Sequence, residues 1–253
     1  MNLFFGFEFK NYLTKITIPK FQNRNNSISD YDLYQARITK NKWTIENVSK
    51  QFDQDHFYII TPESINNKTI FFLAKDNEVT ANKEPELLNY NSYTNTSPEY
   101  RANLQVSRKE GGYSSYQSDY PFHMATKTGN IASSCSTLLN KDADENYLIF
   151  KNIYHLPIYD EFKMYFVNIK EKEILTFKQV YTNVANVIKI DEELINPDIY
   201  LFTDKYIGIP IFLSNHNNHL SFEHTHPPHS FVMGSDQFKI ISKFKKEIRE
   251  IIT

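Results

Sequence analysis

At 253 residues, with 40% hydrophobic and 23% charged side chains, the chain has the composition of a globular protein able to bury a core without staples. A formal net charge of -2 excludes a polyanion as the expected main partner, and one cysteine excludes both an internal disulfide and a cysteine-rich zinc site. No run approaches about 18 uncharged apolar residues, so no membrane-spanning helix is expected. These bounds predict a soluble, cytoplasmic protein with neither nucleic acid nor membrane as partner.

The opening "MNLFFGFEFK" alternates through Phe5, Phe7 and Phe9. That pattern reads as a strand, not as a signal-peptide core. Residues 31–38 fit a short helix or a strand, and the pattern does not decide between them. The runs 57–61 and 69–74 are rich in β-branched and aromatic residues, with "PESINN" between them, and predict a hairpin. Residues 1–75 thus read as a small β-containing lobe. Residues 76–101 are polar, hold two prolines and lack a period, which reads as a long loop or linker. Tyr90, Tyr93 and Tyr100 within it suit either binding contacts or an incidental connector.

Residues 102–253 read as the main body. Gly111 and Gly112 in "KEGGY" mark a tight turn that needs positive φ. Strands are expected at 146–153, 162–169, 174–181, 186–190, 199–203, 207–213 and 219–226. Their spacing is that of a sandwich or barrel. The final stretch, 236–252, places Ile241, Phe244, Ile248, Ile251 and Ile252 at helical spacing, with Lys and Glu opposite. It predicts an amphipathic helix packed on the body. The fold class is therefore mainly β: an antiparallel β-sandwich or partly closed barrel, a small N-terminal β-containing lobe and a C-terminal amphipathic helix. No internal repeat with shared motifs is expected. Pro210 marks an edge strand, through which a homodimer is conceivable.

Two stretches carry chemistry. "HLSFEHTHPPH", residues 219–229, holds four of the eight histidines. Alternation puts His224 and His226 on one strand face with Leu220 and Phe222, before Pro227 and Pro228 end the strand. Two imidazoles two residues apart lie about 7 Å between Cα atoms, which suits joint ligation of zinc or iron. His229, just beyond, is a candidate third ligand or catalytic group. Structural histidines, a metal pair and a metal-free general base all stay open. The H-x-H of "HTH" is similar to the metal-binding motif of the cupin superfamily, and the resemblance covers only those residues and the strands around them. It implies a divalent metal on His224 and His226. Cupins follow that pair with a glutamate, whereas Ser230 and Phe231 stand here.

"GGYSSYQSDYPFHM", residues 111–124, is the second stretch. Its paired glycines and serines suit an anion or sugar hydroxyls, with Arg108 adding a cation. Ser114, Ser115, Tyr116 and Tyr120 are the candidate substrate contacts. Tyr113, Tyr116 and Tyr120 also fit one helix face. A plain hairpin turn with packed aromatics explains the same residues. Cys135 reads as a small buried hydrophobe, since no basic residue stands beside it to favour the thiolate. Two functions remain. One is an enzyme acting on a small polar or carbohydrate-like substrate through the histidines. The other is a non-catalytic glycan- or protein-binding or assembly module with structural histidines.

Overall fold

The computed structural model describes residues 2–20, 31–80, 85–88, 90, 102–118, 120–121, 128–132, 134–205, 210–224 and 236–253. The chain is mainly β, its sheets are antiparallel, and a helix closes the sequence. It forms two compact units. The first holds residues 1–124 with 153–159 and 183–185, and the second holds 125–152, 160–182 and 186–253.

Unit 1 contains β1 (Asn2–Phe4), β2 (Tyr12–Pro19), β3 (Asp32–Thr39), β4 (Lys42–Asn47), α1 (Ser49–Phe52), β5 (Asp53–Gln54), β6 (Phe57–Ile60), β7 (Ile70–Ala74), α2 (Asp76–Thr80), β8 (Ala102–Arg108), β9 (Tyr113–Ser118) and β10 (Tyr120–Pro121). One sheet runs β10-β1-β7-β3-β4 and the other β5-β6-β2-β8-β9. The first turn of β3 into β4 is tight because Lys40 and Asn41 both take positive φ, 50° and 60°, the geometry that matches strand twist. Gly111 and Gly112 do the same for β8 into β9, at 109° and 84°. Residues 31–38 therefore resolve as strand. The expected hairpin of 57–61 and 69–74 does not form. β6 pairs with β2 and β7 with β3, so the two runs enter different sheets.

The division expected at 76–101 also differs from what is observed. β8 pairs with β2 over Tyr12–Arg108 to Thr17–Asn103, so residues 102–118 belong to the first unit. Part of the expected linker packs as core. Leu88 is fully buried, Leu88 N donates to His155 O at 3.0 Å, and Tyr90 stacks on Phe72 at 5.3 Å. Tyr93 and Tyr100 lie outside the described residues.

Unit 2 contains β11 (Thr128–Ala132), β12 (Glu145–Lys151), β13 (Glu161–Asn168), β14 (Glu173–Tyr181), β15 (Ala185–Lys189), β16 (Ile199–Lys205), β17 (Ile211–His216), β18 (His219–His224) and α3 (Gln237–Ile252). Its sheets run β11-β16-β13-β14 and β15-β12-β17-β18. Leu148 and Phe150 of β12, Met164 and Phe166 of β13, Leu201 of β16 and Phe212 of β17 meet in one buried cluster fed by both sheets. On the far face of the first sheet, Val167 and Phe202 are covered by Ile248, with Phe244, Ile251 and Ile252 around it. Phe244 meets Tyr200 edge-on at 5.0 Å. Burying an isoleucine such as Ile248 contributes roughly 1.5–3 kcal/mol, which fixes the helix by its apolar stripe.

The two units share one strand order. In chain order, β1, β2, β3, β4, β6, β7, β8 and β9 correspond to β11 through β18. The run β1-β7-β3-β4 then matches β11-β16-β13-β14, and β6-β2-β8-β9 matches β15-β12-β17-β18. Unit 1 adds the short edge strands β5 and β10. The connection before β7 and before β16 agrees bond by bond. Asn66 Oδ1 accepts from Lys68 N and Asn196 Oδ1 from Asp198 N, both at 2.9 Å. Ile65 N donates to Pro62 O at 3.1 Å and Ile195 N to Glu192 O at 3.0 Å. An internal repeat is present after all. Its sequence trace is little more than Glu-x-Ile-Asn at 63–66 and 193–196.

Candidate functional site

The histidine stretch supplies the last strand of unit 2. β18 pairs with β17 from Ile211–His224 to His216–His219, across a turn in which Asn217 and Asn218 take φ of 50° and 67°. Exposure alternates along it: Phe222 is buried, His224 half-buried, and His219, Ser221 and Glu223 exposed. The expected alternation is present, and Phe222 and His224 share the more buried side of β18, as expected. On the opposite side exposed Glu223 lies across from Phe212, which packs in the buried cluster of unit 2. His224 and Phe222 sit on the other side with Ile211 and Leu213, which are also fully buried. The alternation was legible from Phe222; which side faced the second sheet was not, because both sides of β17 are apolar.

His224 Nδ1 stands 2.7 Å from Glu223 Oε1, and the same oxygen accepts from His224 N at 2.9 Å. A carboxylate at one ring nitrogen fixes the orientation of the ring. Among the described residues, no group of three or more His, Cys, Asp or Glu is placed to hold a metal ion. His226 and His229 lie outside the described residues, as does His123. Cys135 is fully buried, and burial pushes its thiol up to about 12. It is therefore no nucleophile at neutral pH.

The serine-tyrosine stretch forms β9, the counterpart of β18, and the short β10. It is strand, not the helix that the spacing of Tyr113, Tyr116 and Tyr120 allowed. Its register separates the expected substrate contacts. Ser114 lies opposite Val106, on the buried face with Leu104 and Ile16. Arg108 shares that face. Its Nη2 holds Glu110 Oε2 at 3.1 Å and its guanidinium lies over the Tyr12 ring at 5.8 Å, so it serves the turn. Ser115, opposite Gln105, is on the open face. Tyr116 and Tyr120 lie on β9 and β10, and their side chains are outside the described set.

That open face was missed by sequence reasoning. Register assembles it in three rows across β2, β8 and β9. Leu13, Ser107 and Tyr113 form one row, and Lys15, Gln105 and Ser115 the next. Thr17 and Asn103 begin the third, with Ile59 beyond Thr17 on β6. Tyr113 is 72% exposed, so its ring is free to stack. Amides and hydroxyls dominate, each able to donate and accept. Exposed strand positions elsewhere in this chain include charges, Lys42 and Glu46 on β4, Glu161 and Lys163 on β13 and Glu173 on β14, beside uncharged residues such as Thr44, Leu175, Phe177 and Gln179. Here Lys15 is the one charge among these rows. No single residue type announces the grid; only pairing two strands in register exposes it.

Two other features are less suited to chemistry. A cavity of about 600 Å³ lies between α3 and the β13–β14 turn, lined by Ile169, Lys172, Phe244, Glu247 and Ile248 among others, and none of the expected site residues lines it. The open edge β14 carries a bulge opposite Phe166/Val167, and Lys163 covers Phe177 at 4.4 Å. Both are devices that blunt edge pairing. No helix among the described residues is long and apolar enough to cross a membrane. No protein-family model, curated protein or solved structure matches this chain.

Proposed function

We propose that this protein is a non-catalytic binding module that takes a polyhydroxylated, glycan-like ligand on the open face of β2, β8 and β9. The observation that carries this reading is the grid itself: amides and hydroxyls in register, one cation, and an exposed tyrosine at the rim. Sugar hydroxyls pair with Asn103, Gln105, Ser107 and Ser115, and a pyranose face stacks on Tyr113. A flat sheet suits an extended chain better than an enclosed monomer. The reading takes each unit as a two-sheet β-sandwich, which the shared core of unit 2 supports. It places the protein in the cytoplasm, with no nucleic acid or membrane as partner, and assigns no homodimer.

The test is a glycan array followed by calorimetry on the best ligand. Gln105→Ala and Tyr113→Ala should each weaken binding about tenfold, from one hydrogen-bonding group or one stacked ring. Affinity unchanged in both variants refutes the assignment.

The enzyme reading keeps one specific support, the 2.7 Å contact between Glu223 and His224. In that reading His224, His226 and His229 supply general-base or metal chemistry, with zinc or iron as the metal. Elemental analysis of tag-free protein beside His224→Ala/His226→Ala tests it. Near-stoichiometric metal, lost in the double variant, would favour the enzyme. Protein that stays metal-free after reconstitution removes the metal form.

A further inference from the structure

We infer that the ligand is an acidic glycan bearing isolated carboxylates, selected by Lys15; this rests on the glycan-binding reading of the same face. Lys15 is the middle residue of its strand face, between Leu13 and Thr17, and lies in row with Gln105 and Ser115. It has no ion-pair partner among the described residues. Of the other charges near this sheet, Arg108 and Lys20 are turned to its opposite face and engaged there, and exposed Lys109 lies past the rows, where β8 enters its turn. Arg108 holds Glu110 at 3.1 Å, and Lys20 holds Asp53 at 2.6 Å. No carboxylate in the rows competes for the ammonium.

One cation ringed by neutral hydrogen-bonding groups has a definite chemical complement. A polysulfated chain needs several cations along its length, and these rows offer one. A neutral glycan leaves the ammonium without a counter-charge in a partly covered position. A uronate or sialate gives it one carboxylate, and Gln105 and Ser115 on the same row reach that group or the adjoining hydroxyls.

Matched probes that differ only in the charge test this on the full chain. Calorimetry compares a galacturonate oligomer with its methyl ester, and sialyllactose with lactose, for wild type, Lys15→Gln and Lys15→Arg. In wild type the acidic member of at least one pair should bind about tenfold tighter, the preference lost in Lys15→Gln and kept in Lys15→Arg. Folding of each variant is checked by circular dichroism. Equal affinity for acidic and neutral members overturns the inference while the glycan reading stands. A preference that survives Lys15→Gln overturns the role of Lys15. Wild type that binds neither these probes nor any glycan on an array sinks the inference and the parent reading together.

Discussion

Gly6→Ala should destabilise unit 1 through a clash that can be traced to its partners. A methyl at Gly6 would stand 2.6 Å from Thr14 Oγ1, 2.8 Å from Ile65 Cγ2 and 2.9 Å from Ile65 Cδ1. Neither partner has room to retreat. Ile65 is 4% exposed, and Thr14 is tied twice to Phe7, accepting from its N–H at 2.9 Å and donating to its carbonyl at 2.7 Å. Forcing an extra methyl into packed core costs about 1–3 kcal/mol, and loosening the threonine bonds adds about 1 kcal/mol. The total, roughly 2–4 kcal/mol, lowers the melting temperature by about 5–12 °C for a chain of this size. Differential scanning calorimetry reads it, with a double-mutant cycle to Ile65→Ala. That second change removes both isoleucine contacts, so the two costs should fall short of additivity by about 1–2 kcal/mol. Costs that add within about 0.5 kcal/mol would refute the clash as the mechanism.

Lys151 is 2% exposed on β12, and burial drives its ammonium pKa well below the ordinary lysine value. Below the ordinary lysine pKa the unfolded chain then binds more protons than the folded chain, so stability should rise with pH toward about pH 10; Lys151→Met should flatten that slope, and an unchanged slope would count against it. Cys135, with its thiol pushed up to about 12, should react with a disulfide reagent at pH 8 only as fast as the protein opens. Labelling at the rate of a free thiol would contradict its burial. Asn196→Ala should cost about 1 kcal/mol by orphaning Asp198 N, and Asn66→Ala about half that because its partner Lys68 is exposed; denaturant melts check the order.

Local signals in the sequence were reliable where the physics is local. Strands β12 to β16 and β18 begin and end close to where alternation and turn residues placed them, while β11 was missed and β17 runs later than the expected 207–213; Gly111 and Gly112 take the positive φ that their turn requires. Helical spacing of Phe244, Ile248 and Ile251 likewise gave α3. Pairing was not legible, because a strand's partner is set by contacts far along the chain. β6 and β7 look like a hairpin in sequence, yet each finds an earlier strand in a different sheet. Within the stretch 76–101 the same holds for the described residues. Leu88 and Tyr90 find their partners, His155 and Phe72, outside the segment itself. The repeat was hidden because a core needs only apolar residues of about the right size, so two copies can keep one strand order while sharing almost no identities.

That repeat bears directly on the site. The two stretches that stand out in sequence, 111–124 and 219–229, supply the same terminal strand of two like units, β9 and β18. Standing out in sequence does not by itself make them parts of one shared site. What separates the copies is the sheet face turned away from the core. In unit 2 that face carries Tyr147, Ile149, Ile211, Leu213 and Phe222, all buried. In unit 1 the corresponding face carries Lys15, Thr17, Asn103, Gln105 and Ser107, all accessible. One strand order thus tolerates either an apolar, covered face or a polar, open one, so the fold does not dictate the polarity of the first. Solubility alone would also have been met by the Lys and Glu that this chain uses on β4 and β13. The choice of amides and hydroxyls in register with Tyr113 is left for a ligand to explain, which is why the open face of unit 1 outranks the histidines of unit 2 as the place to look for function.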